Sequence, residues 1–570
     1  MTKISGISAN EGVALAKAYI HNSIDFTQFS LKNVGDVDEE IARLEIAKDS
    51  CEADLDELIE QTRRRLGDSE ALILSGQKGF LSDPSFYPLI VEMIREKSCQ
   101  AEFALWSVLQ DILTLFNAIE DEYMKERAAD LNALAKRLLR HLLGGEETLK
   151  NIKSEVILIA EDLTPGEAAL LDRRYVMGIA LKKGSSTSHA AILARSLGIP
   201  AVLGLGDALG NIKDSSELII DAAKGLIIAN ADPALRLEYE QKALEQSRNK
   251  AALAHFKSLP ATLANGDLIR LGANIASAME ASLAKAAGAA EVGLFRSEFL
   301  FMQKDQMPSE EEQFAAYKEA ALAGLPLVLR TLDIGGDKGL SYINPIPEDN
   351  PFLGYRAIRI CLDKPQIFLP QLRAILRAGV FGQVKIMLPM VSGLEEVAEA
   401  KRHIEEAKAS LRAQNIPFDE NMQIGLMVEI PSLALVADAA IAKVDFFSIG
   451  TNDLVQYALA ADRMNEKVAA LNDYFHPGVL RLIKMSIDAS KRAGKWTGMC
   501  GVMASDTLAT PLLIGLGLDE FSVDIAALNS IKETLSKLDR KACSLLAARC
   551  LELGDARSVR AELKLFAGIS

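Results

Sequence analysis

The feature that most constrains the fold lies in the second half of the chain. Between residues 260 and 570, eight short apolar runs alternate with helical stretches: "LIRLGANI", "EVGLFRS", "PLVLRTLD", "KIMLPMV", "GLMVEI", "FFSIGTND", "KWTGMC" and "EFSVD". Eight strand–helix units of this spacing favour a (β/α)₈ barrel over an open sheet. Arg296, Arg330, Glu429, Asp453 and Cys500 fall at or just beyond the C-terminal ends of their runs. Barrel closure would gather these distant residues on one face, where barrels carry their chemistry.

The first 230 residues read differently. "EVILIAEDL", "VMGIALKKG", "PAVLG", "ELIIDAA" and "GLIIAN" are short buried-strand patterns of a small α/β module, with a β-like opening at glycines 6 and 12. From about 35 to 145 the pattern turns helical, as in "DEYMKERAADLNALAKRLLRHLL", with loop signals expected at Gly76, Gly79 and "SDPSFYP". This predicts a module at 1–230 with a helical insertion, a helical linker at 231–259 and the barrel at 260–570.

The stretch "KKGSSTSHAAILARSLGIP" places Gly184 and a run of hydroxyls, Ser185 to Ser188, directly before His189. Hydroxyls suit a helix start, predicted here over 190–197, and the amides of such a start favour an anion. His189 is then either a phosphate-bearing ring or an idle cap-region histidine.

The candidate barrel face carries cations at Arg296, Arg330, Lys338, Arg356 and Arg463, and carboxylates at Glu429 and Asp453, with Asn452 beside the latter. Several arginines suit a small, densely anionic ligand, and two carboxylates grip Mg²⁺ when the substrate supplies further oxygens. A phosphorylated carboxylate fits both halves of the set. Cys500 is either small buried filler or a proton donor to a carbanion-like carbon.

The formal net charge of -15 disfavours a nucleic-acid partner or an anionic membrane surface. No apolar span reaches membrane length, and no signal peptide is evident. The six scattered cysteines show no zinc-like spacing, which fits a reducing, cytoplasmic setting.

Along nearly its whole length the chain resembles enzyme I of the phosphoenolpyruvate-dependent sugar phosphotransferase system. The resemblance rests on "AEDLTPGEAA", "STSHAAILARSLGIPAV", "GLFRSEFLFM", "LRTLDIGGDK", "NPFLGYRAIR", "FFSIGTNDLVQYALAADR", "HPGVLRLI", "GMCG" and "GLGLDEFSV", in family order. It implies a phosphoenolpyruvate–protein phosphotransferase in which His189 is phosphorylated at Nε2. It further implies that Arg296, Arg330, Lys338, Arg356 and Arg463 hold phosphoenolpyruvate, with Asn452 assisting at the phosphate. Glu429 and Asp453 would bind Mg²⁺, and Cys500 would protonate enolpyruvate to pyruvate. The insertion would dock the phosphocarrier HPr, and the barrel would form a homodimer. One ring cannot face the barrel and a carrier together, so the histidine module is expected to swing on its linker.

The sequence departs from the family at Ser185 and Ser186, at Gln77 and after Asp130, and at Val502, where the family's "GMCGE" has glutamate. A phosphoenolpyruvate synthase or pyruvate phosphate dikinase would need an ATP-grasp domain ahead of the histidine module. A regulatory phosphoenolpyruvate-binding homologue with weak turnover is the other reading, discriminated by whether the phosphoryl group moves onward.

Overall fold

The computed structural model describes residues 1–570 except 11, 22–28, 66–67, 118–121, 145–148, 150–151, 164–166, 168–170, 185–193, 195–197, 303–305, 336–339, 341, 344–347, 464, 466 and 569–570. His189, the helix expected at 190–197 and Lys338 therefore lie outside the described residues. The chain divides into two compact units, Met1–Lys250 and Ala251–Ser570.

The first unit is built on an eight-stranded sheet: β1 (Thr2–Ser5), β2 (Ile7–Ser8), β3 (Val13–Ile20), β4 (Val156–Ala160), β5 (Val176–Leu181), β6 (Ala201–Leu203), β7 (Glu217–Asp221) and β8 (Leu226–Ala229). Its order is β1-β8-β7-β3-β4-β5-β6-β2. β1 and β2 adjoin in sequence yet occupy the two edges, so the sheet curls until its edges meet at Gly6. A Cβ there would sit 2.5 Å from the Leu203 carbonyl, and only glycine allows that approach. β4 is buried throughout, as its unbroken apolar run predicts.

Between β3 and β4 stand five helices: α1 (Val37–Arg65), α2 (Asp68–Phe80), α3 (Tyr87–Lys97), α4 (Ala101–Asn117) and α5 (Glu122–Leu142). They pack around their own core, which includes Leu44, Leu55, Ile90, Leu105 and Leu138. One expectation fails here. Gly76 and Gly79 do not break the chain but lie inside α2; only the stretch after Phe80 does. Burial of Leu74 and Phe80 on either side outweighs the low helix propensity of the two glycines.

The helix Pro233–Leu253 and a 3₁₀ turn, Ala254–Ser258, lead into the second unit. Its eight strands are β9 (Arg270–Ile275), β10 (Glu291–Arg296), β11 (Leu327–Arg330), β12 (Val384–Leu388), β13 (Ile424–Val428), β14 (Phe446–Ile449), β15 (Trp496–Met499) and β16 (Glu520–Asp524). They are parallel and close into a barrel in chain order, with β16 pairing β9. Every strand matches one of the eight predicted runs, β12 and β13 beginning one residue before theirs. Among the described residues no helix is long and apolar enough to cross a membrane.

The N-terminal ends of the strands close the barrel floor. Arg270 binds Glu291 at 2.9 Å and lies 4.0 Å over the Trp496 ring, which stacks on Phe446 at 4.4 Å. Glu520 sits beside them, 1% exposed, with neither carboxyl oxygen hydrogen-bonded. Gly272, Gly293 and Gly498 make room for it: a Cβ at Gly498 would lie 1.8 Å from Glu520 Oε2. Gly498→Ala is therefore expected to lose about 1–3 kcal/mol of barrel stability through overpacking, read by denaturation with Trp496 fluorescence as the probe.

Candidate active site at the barrel rim

The opposite end of the barrel collects the charged residues. Arg296 and Arg330 close β10 and β11 and pair in register. Glu429 follows β13 directly, Cys500 follows β15, and Asp453 lies in the first turn of the helix Thr451–Leu459 after β14. Arg356 precedes the helix Ile358–Asp363, and Arg463 follows Leu459.

These groups form a file of alternating charge. Arg330 is held by Glu298, and its Nη1 lies 2.9 Å from Asp333 Oδ2. The other oxygen of Asp333 takes Arg356 Nη2 at 3.0 Å, and Arg356 Nη1 reaches Asp453 Oδ1 at 3.4 Å and Tyr457 Oη at 3.2 Å. Arg463 Nη1 then approaches the same Asp453 oxygen at 3.2 Å. Arg330 and Arg356 are almost wholly buried, yet among the described residues the Nε of each has no hydrogen-bond partner. A buried guanidinium N–H left unmatched costs free energy that an incoming anion can recover.

Glu429, 1% exposed, accepts from the backbone N–H of Met390 at 2.5 Å. Met390 itself adopts a left-handed conformation, φ 57°. Burial and then the neighbouring charges of Asp453 and Asp333 push the Glu429 carboxyl up to about 8, against the pull of Arg330 and Arg356. A divalent cation between Glu429 and Asp453 would relieve that repulsion, and both groups offer hard oxygen donors. Among the described residues no cluster of three or more His, Cys, Asp or Glu could hold a metal. The residues thus fit a cation that draws its remaining ligands from substrate and water.

The Cys500 thiol donates to the Ile449 carbonyl at 3.9 Å. Burial raises it to about 11, with Ser448 and Arg330 opposing. At neutral pH it is a thiol, the form an acid requires. Asn452 Oδ1 accepts from the Val502 N–H at 3.0 Å, so the residue that replaces the family glutamate anchors Asn452 through its backbone while its side chain stays exposed.

The structure thus brings Arg296, Arg330, Arg356, Asn452, Arg463, Glu429, Asp453 and Cys500 to one rim. Sequence reasoning missed Glu298 and Asp333, the two carboxylates that brace the arginines. Both stand inside the quoted motifs "GLFRSEFLFM" and "LRTLDIGGDK", three or fewer residues from an arginine, and that proximity was the available signal.

In the first unit, Gly184 has φ 110°, as the tight turn before the hydroxyl run requires. A cavity of about 380 Å³ lies between α5 and the ends of β3 and β4, lined among others by His21, Lys136, Arg137, Arg140, Glu161 and Lys183. Gln77 Nε2 donates to Asp130 Oδ1 at 2.9 Å, joining one departure from the family to the residue just before another.

Three family models match the chain in succession: PEP-utilising enzyme, N-terminal, over residues 5–127; PEP-utilising enzyme, mobile domain, over 152–225; and PEP-utilising enzyme, PEP-binding domain, over 250–540. The class defined by fold and rim is thus that of the PEP-utilising enzymes. The phosphoenolpyruvate-protein phosphotransferase of Geobacillus stearothermophilus is 44% identical over 561 residues, 98% of this chain and 96% of its own. That of Bacillus subtilis (strain 168) is 42% identical over 567 residues, 99% of each. Among solved structures, an Enzyme I protein determined by NMR matches 43% of this chain and 99% of its own, at 31% identity and a TM-score of 0.37. The chain belongs to the phosphoenolpyruvate-protein phosphotransferase family.

Proposed function

We propose that the barrel rim binds phosphoenolpyruvate and passes its phosphoryl group to His189, from which it moves to the phosphocarrier HPr as pyruvate leaves. One observation carries this reading: the file Glu298–Arg330–Asp333–Arg356–Asp453–Arg463, with two buried guanidinium Nε atoms unmatched. A ligand bearing both phosphate and carboxylate would offer acceptors to the guanidinium N–H groups that this file leaves unmatched.

Arg296, Arg330, Lys338, Arg356 and Arg463 orient the substrate and offset charge on the transferring group, with Asn452 donating to the phosphate. Glu429 and Asp453 hold Mg²⁺, which when bound supplies electrostatic stabilisation of the phosphoryl oxygens. Neutral His189 is the nucleophile, and the protonated Cys500 thiol delivers a proton to the enolpyruvate carbon. The histidine module swings on its linker between the two half-reactions, HPr docks on the five-helix insertion, and the barrel pairs with a second copy in the cytoplasm.

Incubation with Mg²⁺ and phosphoenolpyruvate is expected to give an acid-labile phosphoryl adduct at residue 189 with one pyruvate released per adduct, read by mass spectrometry and a coupled pyruvate assay. His189→Ala should lose both. An adduct that no HPr discharges would overturn the transferase reading in favour of a regulatory role.

A further inference from the structure

The surroundings of Cys500 contain a residue with no role so far. β15 and β16 pair only at Gly498↔Glu520 and Met499↔Phe521, so the ladder ends one residue before Cys500. The carbonyl of Cys500 therefore finds no partner on the neighbouring strand. Asn274, on β9, supplies one from beyond β16: its Nδ2 donates to the Cys500 carbonyl at 3.1 Å. The Asn274 Oδ1 accepts in turn from the Ser522 hydroxyl on β16 at 2.7 Å. A backbone carbonyl can only accept, so it fixes which end of the amide faces Cys500. On its other side the Cys500 N–H donates to the Ile449 carbonyl on β14 at 3.1 Å. Cys500 thus hangs between β14 and β9, and its own strand no longer steers it.

We propose that Asn274 is a positioning residue for Cys500: reaching across β16 with Ser522 as its stay, it holds the strand end in the orientation that aims the thiol at the enolpyruvate carbon. This rests on the reading of Cys500 as proton donor. In that step the C3–H bond forms as the S–H bond breaks, and the enolate becomes the ketone of pyruvate. The thiolate then regains its proton from water. Phosphoryl transfer precedes this step and uses the arginines and carboxylates, whereas the Asn274 side chain bonds to the Cys500 carbonyl and the Ser522 hydroxyl among the described residues. Loss of Asn274 therefore separates the two.

The test uses the full-length protein with Mg²⁺ and phosphoenolpyruvate, following phosphorylation of residue 189 in a single turnover and, separately, ketonisation by proton or deuteron uptake at the pyruvate methyl. Asn274→Ala is expected to slow protein-dependent ketonisation at least about tenfold, as for a misplaced general acid, while phosphorylation falls far less. The misaligned donor should also change the solvent isotope effect on ketonisation. Ser522→Ala, a milder variant that decides the matter if Asn274→Ala does not fold, should shift ketonisation in the same direction by a smaller factor. Equal slowing of both steps, or no change in either variant while Cys500→Ala slows ketonisation, would overturn the role of Asn274. If Cys500→Ala itself leaves ketonisation unchanged, the proton-donor reading fails and the inference falls with it.

Discussion

Arg356→Ala is expected to abolish phosphoenolpyruvate-dependent phosphorylation and to destabilise the barrel at once. Arg356 is 2% exposed and is the link between Asp333 and Asp453. Its removal takes one of two arginine partners from each of those carboxylates and lifts one of the two cations that restrain the proton affinity of Glu429. Removing one partner of a buried ion pair costs about 3–5 kcal/mol, because the remaining charge stays buried. The same loss should slow phosphoryl transfer by about 10²–10³-fold or more, the scale for one preorganised donor at a developing charge. Arg356→Lys should recover part of the stability and little of the activity, since an ammonium cannot reach Asp333, Asp453 and Tyr457 from one planar fork. Denaturant titration and single-turnover phosphorylation measure the two effects separately. Normal transfer in either variant would remove Arg356 from the substrate site.

The barrel should also lose stability as pH rises towards 8, and Glu520→Gln should blunt that loss. Burial and then Glu291 push the Glu520 carboxyl from its ordinary 4.5 to about 8, despite Arg270 and Lys385. The folded chain therefore keeps a proton that the unfolded chain releases above about 4.5. The stabilisation is complete below that value, declines through the interval and is gone above about 8. One such group contributes a slope of about 1.4 kcal/mol per pH unit within that window. Glu429 carries a similar burden at the rim, so the variant should retain part of the slope. Of the two tryptophans, Trp496 lies on the barrel floor and Trp106 in the insertion. Denaturation of a Trp106→Phe background from pH 5 to 9 thus reports the barrel alone. An unchanged slope after Glu520→Gln would show that Glu520 titrates normally.

The barrel was legible because each strand is a mostly apolar run, several of them punctuated by a charged or polar residue at or just beyond the C-terminal end. Those end residues are also the candidates for the chemistry, so Arg296, Arg330, Glu429 and Cys500 could be placed on one rim before any coordinates. What sequence could not convey is which charges face inward. Arg270, Glu291 and Glu520 each open a strand and look like solvated flanks, yet they close the barrel floor. Glu298 and Asp333 stand beside arginines in readable motifs, but only the folded chain shows that Asp333 spans two guanidiniums, one at the end of β11 and one from the segment before Ile358. Asn274 was invisible for a related reason: its partner lies 226 positions away and two strands over. The misplaced break at Gly76 and Gly79 has the opposite origin, a local propensity overruled by neighbours the sequence does not order in space.

The five helices between β3 and β4 have a consequence for how such a chain diversifies. β3 and β4 are adjacent and parallel, paired from Lys17↔Val156 to Ile20↔Ile159, so the whole bundle serves as a single crossover loop. Its exit and re-entry points are pinned by sheet hydrogen bonds, and its interior packs on itself. Such a cassette can change on its outer faces while the strands beneath keep their register. The bundle and the sheet that carries it can therefore change at different rates.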